Sequence, residues 1–276
     1  MADSGQERAP QGIDTTKPNV ARVYDFMLGG KDNYEADRRL AHLALEIAPD
    51  APEAGRANRE FLGRVVRHLA AEAGIRQFID IGSGLPTQGN VHEIAQSVAP
   101  DARVVYVDHD PIVLVHGRAM LAVDDRTTVV EADLRRPDEI LDDPETRRLI
   151  DFREPVGLLM FAILHHLTDF EDPAGVTARL VARLAPGSHL AVSHFHNPGA
   201  AHPEVSKQAY TAEAIFNQHL GTGRWRTRDQ ILTYFDGLEL LEPGLVPLPE
   251  WRPEDADRAE PGITYHTFVG AVARKP

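Results

Sequence analysis

Three short apolar runs of the chain each carry an acidic residue at or near the end. Residues 78–84 read Phe-Ile-Asp-Ile-Gly-Ser-Gly, and the runs at 104–108 and 129–133 end on Asp108 and Asp133. A carboxylate at a strand end can accept hydrogen bonds from ribose hydroxyls or from an exocyclic amine, and glycine lets the backbone approach a ligand closely. The pattern therefore indicates a nucleoside ligand at the edge of a parallel sheet, held by Asp80, Asp108 and Asp133.

Each of these residues also has a purely structural interpretation. Gly82 and Gly84 are compatible with a tight turn between a strand and a helix. The sequence does not match the dinucleotide-binding fingerprint G-x-G-x-x-G, because Thr87 stands at the position of the third glycine. Asp108 and Asp133 could each cap the helix that follows. Three acids at successive strand ends nevertheless favour the ligand interpretation.

Two pairs of histidines follow the predicted fourth and fifth strands. His165 and His166 face the crevice where open parallel sheets bind ligands, and a histidine there could take a proton from a hydroxyl or amine. A histidine at the start of a helix explains at least one of this pair equally well. Together with His194 and His196 they could in principle bind a metal, but no His-x-x-x-His or carboxylate spacing supports such a site. We predict no metal.

Alternating strands and helices must position these side chains. The repeated units imply a parallel sheet with right-handed crossovers. The predicted strands are 77–81, 103–107, 127–131, 156–162 and 189–193, and the helices between them are 90–98, 111–121, 137–141 and 176–184.

The two ends of the chain differ from this alternating region. Residues 1–17 read as a disordered tail, and residues 18–276 as a single domain with a helical cap or lid at 18–75 and a core at 76–276. Two consecutive strands near the C-terminus should form an antiparallel pair at the sheet edge. The cap helices are predicted at 21–28, 37–47 and 56–73, two further helices at 204–220 and 227–235, and the last strands at 238–246 and 263–273.

Composition limits the class of protein. The 276 residues carry a net charge of −13 and no cysteine, which argues against a broad electrostatic grip on nucleic acid or an anionic membrane and excludes thiolate chemistry. No secretory signal is found at the N-terminus, and the longest apolar run is far short of the ~20 residues that span a membrane. A cytoplasmic location is the default expectation, and oligomeric state is not readable.

The acidic strand ends and the glycine turn resemble the class I S-adenosylmethionine-dependent methyltransferases. The segment 164–167 (Leu-His-His-Leu) and the closing strand pair are similar as well. The N-terminal segment 18–34, with 57–59 and 84–87, resembles an actinobacterial S-adenosyl methyltransferase family once catalogued as a domain of unknown function. The resemblance implies an α/β, Rossmann-like fold with a seven-stranded sheet of order 3-2-1-4-5-7-6, in which strand 7 is antiparallel.

The resemblance also implies a cofactor, S-adenosyl-L-methionine, and roles for single residues. Asp108 should hold the ribose hydroxyls, Asp133 the adenine amine, and Asp80 with the backbone of residues 82–84 the methionine end. His165 or His166 should contact the acceptor. The complete set of expected cofactor-binding residues is Tyr24, Asp80, Gly82, Ser83, Gly84, Asp108, His109, Asp133, Leu134, Phe161 and Ala162.

The lid interpretation rests on cations and tyrosines that flank a Gly-Gly break. Arg22 and Lys31 could meet a ligand carboxylate, and Tyr24 and Tyr34 could cover a ligand face. A capping helix that merely packs on the core explains them equally well. The acceptor pocket should be shaped by this segment, by the helix 204–220 and by the loop that contains Trp251.

We therefore expect a methyltransferase with a small-molecule acceptor and no nucleic-acid or membrane partner. A nicotinamide-dependent oxidoreductase is the first alternative, and Thr87 argues against it. A non-catalytic protein that binds the same cofactor is the second, because binding residues do not prove turnover.

Overall fold

Strands and helices alternate through most of the chain in a computed structural model that describes residues 13–87, 89–121, 124–253 and 262–276. The strands are β1 (Gln77–Ile81), β2 (Arg103–Asp108), β3 (Thr127–Glu131), β4 (Gly157–Phe161), β5 (His189–Phe195), β6 (Glu239–Leu240), β7 (Val246–Pro247) and β8 (Phe268–Arg274). The helices are α1 (Val20–Met27), α2 (Glu35–Ile47), α3 (Ala51–Ala71), α4 (Val91–Val98), α5 (Pro111–Leu121), α6 (Pro137–Asp142), α7 (Pro144–Leu149), α8 (Pro173–Ala182), α9 (Pro203–Leu220) and α10 (Arg228–Leu232). None of these helices is both long and apolar enough to cross a membrane.

The sheet has the order β3-β2-β1-β4-β5-β8-β6, and β7 pairs with β8 beside β6. Strands β1 to β5 are parallel, whereas β8 runs antiparallel to β5. This confirms the predicted α/β fold and its order, with β8 in the place of the predicted seventh strand. The predicted count of seven is corrected to eight, because the segment 238–246 forms two short strands. Pro243 lacks an N–H for the ladder, and Gly244 turns the chain at a φ of 83°.

Side chains of the central strands alternate between two apolar layers. Ile79 and Ile81 of β1 join the layer that contains residues of α6, α8 and α10, and Phe78 joins the layer that contains α3 and α4. Since successive strand residues point to opposite faces, Asp80 lies on the same face as Phe78. The carboxylate therefore points to the side of the sheet covered by α3 and α4.

The two N-terminal helices are held together by a buried ion pair. Arg22 Nε donates to Asp37 Oδ2 at 2.8 Å, and both side chains are almost fully buried. Asp37 also accepts from the backbone N–H groups of Asn19 and Tyr34 at 2.8 Å each. Leu40 of α2 lies in a small apolar cluster with residues of α9. The cap is thus fastened to a helix that comes much later in the chain.

Two further element predictions differ from the structure. Helix α7 has no predicted counterpart, although Asp143 caps it and Pro144 opens it. The predicted strand 263–273 begins only at Phe268, because the segment Ile263–Thr267 is a 3₁₀ helix. In that helix the Thr264 N–H donates to Asp50 Oδ2 at 2.8 Å. This side-chain acceptor takes the place of the carbonyl oxygen that a neighbouring strand would have supplied.

The predicted tail falls mostly on residues 1–12, which lie outside the described residues, as does the loop at 254–261. Residues that are described next to the tail make contacts: Arg22 Nη2 donates to the carbonyl oxygens of Lys17 at 2.6 Å and Asp14 at 3.2 Å.

A buried guanidinium anchors the segment that follows β4. Arg226 is 5% exposed and donates to the carbonyl oxygens of Leu164 (3.2 Å) and Leu167 (2.8 Å). It also donates to Asp169 Oδ1 at 2.7 Å and to His194 Nε2 at 3.2 Å. One side chain thereby fixes both ends of the turn that carries His165 and His166.

Replacing this guanidinium should destabilise the fold. We expect Arg226→Met to lower the free energy of unfolding by about 2–4 kcal/mol, because the Leu167 carbonyl group loses its Arg226 donor, the Leu164 carbonyl group loses one of its two donors and Asp169 loses its ion-pair partner. Urea denaturation measures the change. Arg274→Met, which removes an exposed ion pair with Glu239, is the control and should change stability by less than about 1 kcal/mol. Equal losses in the two variants would contradict the anchoring role.

Candidate functional site

A cavity of about 590 Å³ opens at the carboxyl ends of the parallel strands. All thirteen residues that the sequence singled out for cofactor or acceptor line it, together with side chains from α1, α2, α3 and α9. Its volume lies in the range of roughly 300–1,000 Å³ that small-molecule sites occupy. Parallel strands bring their ends to one sheet edge, which is why residues far apart in sequence meet here.

The glycine turn is held in place by the end of β2. The N–H groups of Gly82 and Ser83 donate to the Val107 carbonyl oxygen at 2.8 and 3.3 Å. Gly82 has a φ of 73°, and a Cβ on it would come within 2.5 Å of the Ile163 side chain. Glycine is therefore required at this position for both conformation and space. The two amides are engaged within the protein and do not face the cavity as free donors.

The Asp108 carboxylate fixes the third residue of the turn. Its Oδ2 accepts from the Gly84 N–H at 3.0 Å, and its Oδ1 accepts from the N–H groups of His109 and Asp110 at 2.8 and 3.0 Å. Burial raises the pKa of Asp108, while these amide bonds and His109 oppose the rise. The carboxylate lines the cavity, and one lone pair, on Oδ2, is left for a ligand hydroxyl. The capping role belongs to Asp110, whose Oδ1 accepts from Ile112 N–H at 2.9 Å.

Asp80 is 5% exposed and lies on the cavity wall. Burial raises the pKa of its carboxyl to about 7; the Arg59 guanidinium opposes the rise and the Asp108 carboxylate adds to it. A buried carboxylate is costly unless an opposite charge or donors compensate. A cationic ligand group would supply that compensation.

Asp133 lies on the same wall but is already paired. Arg135 donates through Nε and Nη2 to its two carboxylate oxygens, at 2.9 and 2.6 Å, and through Nη1 to Glu171 at 3.2 Å. The bonds from Arg135 lower the pKa of Asp133. Leu134, which is 6% exposed, contributes an apolar surface beside this pair. Any exocyclic amine at Asp133 would share the carboxylate with Arg135.

A chain of hydrogen bonds links the N-terminal cap to the ends of β4 and β5. The Tyr24 hydroxyl donates to the Gly55 carbonyl oxygen at 3.2 Å and accepts from Asn58 Nδ2 at 3.0 Å. Asn58 Oδ1 in turn accepts from Ser193 Oγ at 2.6 Å, and Ser193 Oγ accepts from Ala162 N–H at 2.9 Å. Ala162 itself adopts a φ of 53°. The cap and the sheet edge are therefore positioned as one unit around the cavity.

The four histidines fall into two groups. His165 and His166 line the cavity, whereas His194 and His196 are not among its lining residues. His194 donates through Nδ1 to the Phe195 carbonyl oxygen at 2.7 Å and His196 through Nδ1 to that of His266 at 2.8 Å. No group of histidine, aspartate or glutamate side chains that could hold a metal ion occurs in the described part of the chain.

His165 and His166 have different surroundings. His165 is 1% exposed, accepts from the Phe195 N–H at its Nδ1 (3.3 Å) and stacks on the Phe195 ring with centroids 3.6 Å apart. His166 is only partly buried, and its Nδ1 has no hydrogen-bond partner. Burial lowers the pKa of His166 to about 4, so that the imidazole is neutral at pH 7. The two rings therefore differ at Nδ1: that of His165 is occupied, whereas that of His166 is buried without a partner and would be satisfied by a ligand donor that reaches it.

Four side chains that could have formed the pocket walls do not line the cavity. Arg22 is committed to Asp37 inside the cap and does not reach a ligand, and Lys31 is exposed and outside the cavity lining. Tyr34 also lies outside the lining. Trp251 is fully buried and packs edge-on against Phe61 of α3 at 5.5 Å between ring centroids. Internal charge pairing and core packing explain these side chains.

Several lining residues escaped sequence reasoning. Arg135 and Glu171 had no interpretation before the structure, although Arg135 follows Asp133 by two positions. Phe195 and Phe216 come from β5 and α9 and have no sequence motif of their own. Their place in the cavity depends on how distant elements pack.

Comparison with known proteins identifies relatives over almost the whole chain. A methyltransferase-like protein from Thermobifida fusca is 45% identical, with 96% of this chain and 98% of that chain covered and a TM-score of 0.89. A DUF574 family protein from Streptomyces avermitilis is 43% identical, with 95% and 99% covered and the same TM-score. A search of curated proteins gives no match.

A more distant structure has the same type of fold. The N-methyltransferase NodS from Bradyrhizobium japonicum, determined with S-adenosyl-L-homocysteine, is 14% identical with a TM-score of 0.50 and covers 92% of this chain and 99% of its own. A family model described as S-adenosyl methyltransferase matches residues 6–276. The chain therefore belongs to the S-adenosyl methyltransferase family.

Proposed function

We propose that this protein is an S-adenosyl-L-methionine-dependent methyltransferase that acts on a small-molecule acceptor. The observation that carries the proposal is the convergence of all thirteen predicted residues on one cavity at the carboxyl ends of β1 to β5. Family membership supports the transferase activity, and the fold shared with NodS supports the cofactor class.

The chemistry of the donor set fits this cofactor. Asp80 and Asp108 supply negative charge in a buried wall, and Asp133 adds a third carboxylate. When bound, the cofactor supplies an electrophilic methyl group on a cationic sulfonium. Asp108 would accept from the ribose hydroxyls, Asp133 from the adenine amine, and Asp80 would face the methionine end. The other residues proposed to contact it are Tyr24, Gly82, Ser83, Gly84, His109, Leu134, Phe161 and Ala162.

The protein's own contribution to the reaction is orientation and exclusion of water. Methyl transfer would place the methyl group on an acceptor hydroxyl or amine, with its proton released to solvent and S-adenosyl-L-homocysteine as the second product. His166, neutral at pH 7, accepts a hydrogen bond from the acceptor and so aligns its lone pair. A pKa of about 4 makes it a weak general base. His165 supports the wall behind it.

The structural organisation belongs to the same proposal. Residues 18–276 would act as a single domain in which the cap 18–75 covers the cofactor and the core 76–276 binds it. A cytoplasmic location and the absence of nucleic-acid and membrane partners stay predictions from the sequence. Neither alternative function, a nicotinamide oxidoreductase or a non-catalytic binding protein, is supported by the relatives found.

Removal of the Asp108 carboxylate should abolish tight cofactor binding. We expect Asp108→Ala to weaken S-adenosyl-L-homocysteine binding at least about 100-fold, roughly 3 kcal/mol, because a charge-assisted hydrogen bond to the ribose disappears and the Gly84 N–H loses the acceptor that holds the glycine turn. Isothermal titration calorimetry measures the affinity.

The matched control is Asp143→Ala, since Asp143 also accepts from two backbone N–H groups but lies outside the cavity. This variant should lose stability and keep its affinity. Undiminished affinity in Asp108→Ala, or tighter binding of NAD than of S-adenosyl-L-homocysteine by the unmodified protein, would refute the proposal.

Cofactor binding should be linked to the proton of Asp80. With a pKa of about 7 in the free protein, Asp80 is about half ionised at pH 7, and a cationic ligand favours the ionised form. Affinity for S-adenosyl-L-methionine should therefore fall as pH drops from 8 to 6, by at most roughly tenfold per pH unit.

Proton release on binding at pH 7 is measured by calorimetry in buffers of different ionisation enthalpy. The isosteric variant Asp80→Asn should lose this component while keeping any contribution from the ligand's own groups. An identical pH profile in the two proteins would argue against the contact.

Turnover separates an enzyme from a cofactor-binding protein. We expect S-adenosyl-L-homocysteine to form when the protein is given S-adenosyl-L-methionine and a panel of phenols, amines and carboxylic acids, with mass spectrometry as the readout. For any acceptor found, His166→Ala should reduce kcat at least about tenfold with cofactor affinity unchanged, and His196→Ala should not. Tight cofactor binding without a methylated product from any compound would favour the non-catalytic alternative.

A further inference from the structure

One half of the cavity is lined by stacked aromatic rings. The rings of Phe195 and Trp225 are nearly parallel, with 13° between their planes and 4.3 Å between centroids, and His165 stacks on Phe195 from its other side. Phe216 stands edge-on to Phe195 and Trp225 at 6.0 and 5.4 Å. We call His165, Phe195, Phe216 and Trp225 the ring wall. Phe195, Phe216 and Trp225 are only partly buried, so that they present surface to the cavity.

The helices around this half contribute mainly small or aliphatic residues at helical spacing. On α9, Ala212, Phe216 and Leu220 line the cavity at intervals of four, and on α2 Ala44 and Ile47 do so. Residues four apart lie on one face of a helix, so each helix turns a largely apolar face to the space, with Gln208 of α9 as a polar member of that face. The small alanine side chains of α2 and α9 leave this half of the cavity open, whereas the rings of the ring wall bound it with flat surfaces.

Charge is distributed unequally between the two halves. Asp80, Asp108 and Asp133 lie at the strand ends that are proposed to bind the cofactor. The lining residues contributed by α1, α2, α9 and the described parts of the segment 221–268 include no lysine, arginine, aspartate or glutamate. An anionic acceptor in this half would find no cation among these residues, because the lining arginines, Arg59 and Arg135, come from α3 and from the segment after β3, where Arg135 is already paired with Asp133 and Glu171. A cationic acceptor would meet the positive charge of the cofactor. Desolvating either charge in an apolar space is costly.

We propose that the methyl acceptor is a neutral aromatic molecule that lies against the ring wall, with Trp225 as its specificity-determining contact. This inference rests on the proposed function, because it assigns the other half of the cavity to the cofactor. Aromatic ligands gain from offset-stacked or edge-to-face contact with protein rings in addition to the burial of their area. A saturated ligand of the same size gains only the burial.

The position of Trp225 is fixed by its backbone as well as by its ring. Its N–H donates to Glu213 Oε2 at 2.8 Å, which ties residue 225 to α9. The neighbouring Thr222 hydroxyl donates to the His166 carbonyl oxygen. The ring wall and the free nitrogen of His166 therefore belong to one packed unit. An aromatic ring held by the wall would lie next to the side chain proposed to contact its reacting group.

The test is a binding series measured by calorimetry on the full-length protein. Phenol, 2-naphthol and 9-phenanthrol are the arenes; cyclohexanol, decahydro-2-naphthol and perhydro-9-phenanthrol are their saturated counterparts; and benzoate, 2-naphthoate and phenanthrene-9-carboxylate carry the charge. Each is titrated with and without saturating S-adenosyl-L-homocysteine. We expect at least one arene to bind about three- to tenfold more tightly than its saturated counterpart, and the carboxylates to bind more weakly than both.

Variants of the ring wall assign the effect to Trp225. Trp225→Phe keeps a stacking surface and should retain the preference, whereas Trp225→Leu keeps apolar bulk and should lose it. Ala212→Phe fills the space and should block the arenes with S-adenosyl-L-homocysteine affinity unchanged. Trp251→Phe, which alters the tryptophan outside the cavity lining, is the control. Thermal melting checks that each variant is folded.

Failure of this inference differs from failure of the proposed function. If S-adenosyl-L-homocysteine binds but no arene binds more tightly than its saturated counterpart, the aromatic acceptor is refuted and the cofactor assignment stands. If arenes bind with the expected preference but S-adenosyl-L-homocysteine does not bind, the ring wall is a ligand site and the proposed function is refuted. An equal preference in Trp225→Leu and Trp225→Phe would overturn the role of Trp225.

Discussion

The Asp108 carboxylate is the interaction on which the geometry of this site depends. It accepts from the Gly84 N–H, which holds the glycine turn after β1 against the end of β2, and from the N–H groups of His109 and Asp110, which fix the carboxylate itself. Such an arrangement costs desolvation, and the amide donors offset part of that cost. The other amides of the turn are not free to bind a phosphate, because the N–H groups of Gly82 and Ser83 donate to the Val107 carbonyl oxygen. The carboxyl-terminal edge of the sheet therefore offers hydrogen-bond acceptors and negative charge to a ligand, and it does not suit an anion.

Two different kinds of surface meet in the one cavity. The acids come from the ends of parallel strands, where the sheet topology gathers polar residues, and the rings come from β5, α9 and the turn that follows it. Arg226 fixes the segment after β4 that carries His165 and His166. It donates to the Leu167 carbonyl group and adds a second donor to the Leu164 carbonyl group, which also accepts from the Leu167 N–H.

The N-terminal segment is rich in functional side chains, yet most of them stabilise the segment itself. Arg22 pairs with Asp37, and Asp25 accepts from Asn33 Nδ2 at 2.8 Å and from the Asp32 N–H at 2.9 Å. Tyr24 alone among the expected lid residues reaches the cavity, and it is tied through Asn58 to the sheet. Most polar side chains of this segment therefore stabilise the cap itself, because a short helix pair needs internal hydrogen bonds and ion pairs to hold its shape.

The strand order was implied by the resemblance to a known family, whereas the parallel sheet and the acids at the strand ends were determined by the amino-acid sequence by itself. These follow from short-range patterns: apolar runs of strand length, helical spacing between them, and topology rules that allow few arrangements. The same patterns could not reveal helix α7, the split of the predicted strand 238–246, or the partners of Arg22 and Trp251, since each depends on side chains that compete over long distances. Tertiary structure alone decided which histidine keeps a free nitrogen and which aromatic rings stack into a wall, because both are set by packing between elements far apart in the chain.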